Sequence, residues 1–182
     1  MPIDKKSADE AHVIKGRYFD SKGMEQAFIL SNIINMQYDT WKAGNANIIS
    51  FKGCQKIADK LQIIIIDKPE WIQVPDETNL MNHIVQINMG YIDSPTHQVF
   101  VMGEASRLNT GKFEEDRKTG KISYKERGII DAQYRASMAW KRAFCKGVLE
   151  LTGLRDKFYA EDESTSFAPP VQQDGTLDYN NL

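Results

Sequence analysis

The sequence predicts an α+β domain: an antiparallel, β-hairpin-rich sheet packed on a long helix. Three stretches carry that expectation. "HIVQINMGYID" alternates, with Val85, Ile87, Met89 and Tyr91 on one face, as a half-buried strand does. "QVFVMGEAS" follows after only the short turn "SPTH", so the two strands form an antiparallel hairpin. "AQYRASMAWKRAFCKGVLELTGL", Ala132 to Leu154, repeats small and apolar residues at helical spacing.

The remaining elements follow in chain order. "HVIKGRYF" reads as a short strand. In "GMEQAFILSNIINMQYDTW", Ala27, Leu30, Ile34, Tyr38 and Trp41 recur at three- and four-residue steps, which predicts an amphipathic helix from Met24 to Trp41. "KAGNAN" is a break. Lys52-Gly53 reads as a turn before a short helix, Cys54 to Leu61, with Ile57, Ala58 and Leu61 facing the core. "IIIID" is a β-branched run expected as a buried strand, which Pro69 ends or marks as an edge. "RLNTGKFEEDRKTGKISYKERG" is polar and Gly-containing, a loop or hairpin. "AEDESTSFAPPVQQDGTLDYNNL" is acidic, Pro-containing and poor in aliphatics, so it reads as a disordered tail.

Bulk numbers limit the function. A chain of 182 residues, 41% hydrophobic and 26% charged, is ordinary for one globular domain with a tail. The 2 cysteines, Cys54 and Cys145, form no Cys-x-x-Cys pair, which points away from zinc and toward a reducing, cytoplasmic compartment. No window predicts a membrane span. Net charge is −2, but it is unevenly spread. From Asp156 onward 6 acids face one base, whereas Ala105 to Gly147 holds 11 bases and 5 acids, a net of +6. That asymmetry is the footprint expected of a nucleic-acid binder.

The long helix concentrates this charge. Ala132, Ala136, Ala143, Gly147 and Leu154 form its predicted core stripe. Arg142 and Lys146 fall within about 20° of Arg135 on a second stripe, roughly 16 Å long. Lys141 points elsewhere. A solvated face would ordinarily explain such a row, but acids are nearly absent between Asp131 and Glu150, so balancing i,i+4 pairs are missing. The preceding loop adds Lys112, Arg117, Lys118, Lys121, Lys125 and Arg127. Tyr124, Tyr134 and Trp140 interleave with the cations and could stack bases. Trp140 sits near the core stripe, where burial outweighs stacking, and Tyr124, in a loop, is the best stacking candidate.

"VFVMGEAS", then "YRASMAWKRAFCKGVLELTGL", then the acidic "FYAEDESTSF" resembles phage single-strand annealing proteins. These belong to the superfamily that includes the eukaryotic recombination mediator Rad fifty-two. "FKGCQKIADKLQI" is similar to an element that precedes the sheet in some members. The resemblance spans about Ile49 to Phe167. It implies a β-β-β-α core, homo-oligomeric rings or filaments, and ATP-independent binding of single-stranded DNA with pairing of complementary strands. It makes the protein a non-enzymatic, cofactor-free recombination or repair factor, in the host cytoplasm if phage-encoded. It makes Arg135, Lys141, Arg142 and Lys146 candidate phosphate contacts, with Arg107, Lys121, Lys125 and Arg127 near the groove. Residues 1–158 would form the annealing domain and 159–182 the acidic tail. The region Met24 to Trp41 has no counterpart in that family's pattern.

Two other functions compete. A protective single-stranded DNA-binding protein on a small barrel would share the cations and aromatics without pairing strands. A metal-dependent nuclease would need clustered carboxylates; Asp93, Glu104 and Lys112 lack the tight Glu-x-Lys spacing. Glu104 is better explained as closing a strand end or an inter-subunit pair. His12, His83 and His97 are scattered without ligand spacing, and no Gly-Lys-Ser/Thr phosphate loop is present. The tail solubilises the chain, occupies the DNA groove, or docks "LDYNNL" on a replication or repair protein.

Overall fold

The computed structural model describes residues 13–43, 46–73, 83–105, 112–115, 122–125 and 132–160. Strands β1 (Lys15–Phe19) and β2 (Glu25–Ile29) form an antiparallel hairpin. Gly23 supplies the positive φ its turn requires, and the Asp20 carboxylate accepts from the Lys22 and Met24 amides. These bonds, that of Met24 foremost, hold the Asp20 carboxyl below its ordinary pKa.

The expected helix from Met24 to Trp41 does not form. After β2 come a 3-10 turn at Leu30–Asn32, the single-turn helix α1 (Met36–Asp39) and strand β3 (Thr40–Ala43). The apolar spacing is real, since Leu30 and Ile34 are buried, but they are buried by a folded-back chain. Polar side chains fix the break. Asn35 caps α1 by accepting from the Gln37 amide, and Asp39 accepts from the Asn35 amide at 2.8 Å. Asp39 is 3% exposed and pairs with Lys56 Nζ at 2.7 Å, so its charge is compensated.

β3 turns into β4 (Ala46–Ile49) as a second antiparallel hairpin. Helix α2 (Phe51–Leu61) starts earlier than expected. Ser50 caps it by accepting from the Gly53 amide, so Gly53 lies inside the first turn. Ile57 and Ala58 face the core as expected.

The central sheet comprises β5 (Ile63–Ile65), β6 (Glu70–Gln73), β7 (His83–Tyr91) and β8 (Ser94–Ala105). β8 pairs along the whole of β7. β5 and β6 pair with opposite ends of β7 and must therefore share its other side, which leaves β8 at the edge among the described residues. The connection between β7 and β8 is Ile92–Asp93, not "SPTH": Ser94 already pairs with Tyr91 across a register shift. Val85, Ile87, Met89 and Tyr91 are buried, as the alternation predicts. Of the "IIIID" run, Ile63 is buried and Ile64 exposed.

A further hairpin, β9 (Lys112–Glu115) with β10 (Ile122–Lys125), falls in the stretch expected as loop or hairpin. Helix α3 (Ala132–Leu151) then crosses the sheet and buries Ala139, Ala143, Val148 and Leu149 against it. β11 (Tyr159–Ala160) pairs parallel with β4, so these two residues, expected in the tail, belong to the folded body. Residues 161–182 lie outside the described residues. The α+β class, antiparallel sheets and long helix are as expected. Among the described residues no helix is long and apolar enough to cross a membrane.

Candidate nucleic-acid interface

The packing of α3 on β8 decides where its cations go. A Cβ on Gly103 would lie 1.9 Å from Ala139 O, and one on Gly147 would lie 2.3 Å from Met89 Sδ. Glycine at these two positions lets helix and sheet meet at near backbone contact. Such proximity draws the flank of the helix, as well as its core stripe, against the strand.

The flank therefore meets the open edge of β8. Asn88 O accepts from Ile66 N on the β5 side of β7, so the odd-numbered residues of β7 bond to β8. Their partners on β8 are Val99, Val101, Gly103 and Ala105. By antiparallel alternation Met102 and Glu104 turn their backbone groups to the open edge. Arg142 Nη1 donates to Glu104 O, and Lys146 Nζ donates to Met102 O at 3.4 Å. Cations laid on an edge strand's carbonyls satisfy them and block pairing with another chain.

This corrects the expected solvent-facing row. Arg135 is 0% exposed and Arg142 5% exposed; Lys146 is half-buried. Lys141 is also half-buried, with Nζ 5.5 Å from the centroid of the Phe51 ring. The Arg135 guanidinium acts on His83, whose imidazole is held below its ordinary pKa by burial first and by Arg135 second. Trp71 meets His83 edge-on at 6.0 Å and is 42% exposed.

The remaining expected contacts lie on the connection between β8 and α3. Tyr124 and Lys125 belong to β10, opposite Phe113 and Lys112 in register. Arg107, Lys121 and Arg127 lie outside the described residues. Tyr134 is 55% exposed, whereas Trp140 packs against the core. Glu104 is exposed and contributes its carbonyl to the edge contact.

Sequence reasoning missed several exposed side chains. Phe100 and Met102 stand on the outer face of β8, away from α3. Tyr38, on the single-turn helix α1, and Trp41, on the hairpin strand β3, were expected on a core face and are exposed. The overlooked signal was the dipeptide Gly44-Asn45, a turn-favouring pair in sequence, between two short strand-like runs. A cleft of about 750 Å³ also opens beside the β1–β2 hairpin, walled by Tyr18, Phe19 and Tyr91, with Lys15 and Lys60 among its lining residues. Among the described residues no three His, Cys, Asp or Glu side chains gather as a metal site. No family profile, curated protein or solved structure matches the chain.

Proposed function

We propose that the protein binds single-stranded DNA through its backbone and pairs complementary strands without ATP. One observation carries this reading. Ala105 and Ala132, on either side of the stretch that holds Arg107, Lys121, Tyr124, Lys125 and Arg127, lie at the same end of the sheet. Ala105 pairs with His83, and Arg135, one turn into α3, acts on that same histidine. This connection, with 7 bases against 5 acids, is therefore held at both ends beside the exposed Trp71 and Tyr134.

Phosphate contacts supply affinity without reading sequence, which leaves the bases free to pair. Assembly into a homo-oligomer, and docking of the acidic segment 161–182 on a replication or repair protein, belong to the same proposal. The test mixes two complementary oligonucleotides carrying donor and acceptor dyes, without nucleotide, and follows fluorescence transfer. Pairing faster than the protein-free rate, by a species that light scattering shows to be oligomeric, is the expected result. Tight binding that slows pairing would replace annealing with strand protection. No binding at low salt would overturn the reading.

A further inference from the structure

Trp71 stands where the central sheet meets the start of α3. It pairs with Val85 on β7, so its side chain lies on the face of the sheet that packs on α3. His83, two residues before Val85, lies on the same face. The Trp71 ring reaches it diagonally, with the centroids 6.0 Å apart and the planes at 81°. Val85 is 0% exposed, whereas Trp71 is 42% exposed. The difference follows from position: among the described residues β6 pairs with β7 alone, so its other side is open. The register of β6 on β7 also shifts between Trp71 and Gln73, leaving Ile72 as an extra residue. Such bulges bend a strand and re-aim its side chains.

The charge described on this face is positive. α3 has no acid in its first turn, and Arg135, one turn in, acts on His83. Burial first, and Arg135 second, hold the imidazole below its ordinary pKa, so His83 presents a neutral ring near pH 7. The exposed acids on the neighbouring strands point the other way: Glu70 pairs with Gln86 and Glu104 with Ile84, one residue out of phase with Val85. Asp76 and Glu77, further along the chain, lie outside the described residues.

We infer that Trp71 is the residue on which a base of the bound single strand stacks. This rests on the DNA-binding reading and adds to it a named base contact on the body of the protein. The chemistry selects the occupant. An indole face accepts any base, and a positive field beside it draws the connecting phosphates. An apolar partner would need a continuous apolar patch, whereas the ring beside Trp71 is a histidine in the field of an arginine.

The test titrates the intact chain with oligothymidylate and with an abasic strand of equal length and charge. Tryptophan emission is followed, and anisotropy where the strand carries a dye. Oligothymidylate is expected to quench the wild-type emission; the abasic strand is expected to bind more weakly and without quenching. The chain holds 3 tryptophans. Trp71→Phe, which keeps a ring, is expected to retain most of the affinity and to lose most of the quenching. Trp71→Ala is expected to lose about tenfold in affinity for oligothymidylate, with an unchanged salt slope, because no phosphate contact is removed. The Trp71→Phe result stands even if the alanine variant does not fold.

Quenching that survives in Trp71→Phe, or wild-type binding with no quenching, would overturn the inference and leave the backbone-binding reading standing. So would Trp71→Ala with wild-type affinity. A reduced salt slope in that variant would make Trp71 a support for phosphate contacts and overturn the inference as well. Failure of the wild type to bind either strand at low salt would overturn both readings together.

Discussion

On β8 the cations of α3 are turned inward, where Arg142 and Lys146 lie on the carbonyls of Glu104 and Met102. On the β3–β4–β11 sheet the arrangement is reversed, and Trp41 and Tyr159 are turned outward. Each region carries the residue type a sequence reader would assign to the other role. The difference lies in how closely the covering element approaches. Gly103 and Gly147 bring α3 so near that even its charged flank is enclosed, and the edge strand supplies acceptors for it. On the outer face of the β3–β4–β11 sheet Trp41 and Tyr159 stay 40% and 37% exposed on either side of the buried Ile48.

The largest expected effect comes from closing that approach. Gly103→Ala places a methyl group 1.9 Å from Ala139 O and 2.5 Å from Ala143 N, both backbone atoms that cannot swing aside. We expect it to cost about 3 kcal/mol or more by thermal or urea unfolding. A loss below about 1 kcal/mol would mean that α3 does not rest on β8 at this distance.

Next is Arg142→Ala, which tests whether a buried cation serves the fold or a ligand. It removes the donor to Glu104 O from a site that is 5% exposed. A loss of about 1–3 kcal/mol in stability is expected. Lys141→Ala, beside the Phe51 ring, is expected to lose about 0.5–1 kcal/mol. Full stability of the Arg142 variant together with weakened DNA binding would return this residue to the interface.

The smallest effect is a dependence on pH. Burial, and then Arg135, lower the His83 pKa below its usual 6.5, so the folded state binds fewer protons than the unfolded state. The His83 contribution is complete above the unfolded value and is lost as pH falls through it. Melting temperature should therefore rise between about pH 5 and about pH 7, and His83→Asn should flatten the rise. An identical slope in both proteins would remove His83 from the account.

Alternation and helical spacing made the β7–β8 hairpin and α3 legible, because one face of each is buried against the other. The Met24–Trp41 region was not legible. Its apolar spacing suits a helix, while Asn35 and Asp39, whose local hydrogen bonds break the chain there, look unremarkable in sequence. The cationic row was placed correctly on one side of α3, since Arg135, Arg142 and Lys146 share it. Its burial depended on the nearness of β8, which glycines 44 residues apart set jointly and no local window shows. Tyr159 lay beyond the boundary drawn for the tail because its parallel pairing with β4 is a long-range contact.

The most direct test of the central claim is the affinity of the intact chain for a short single-stranded oligonucleotide across a salt series. The account predicts binding at low salt that weakens steeply as salt rises, with a logarithmic slope of about −0.7 for each phosphate neutralised. No binding at low salt, or an affinity indifferent to salt, would contradict it.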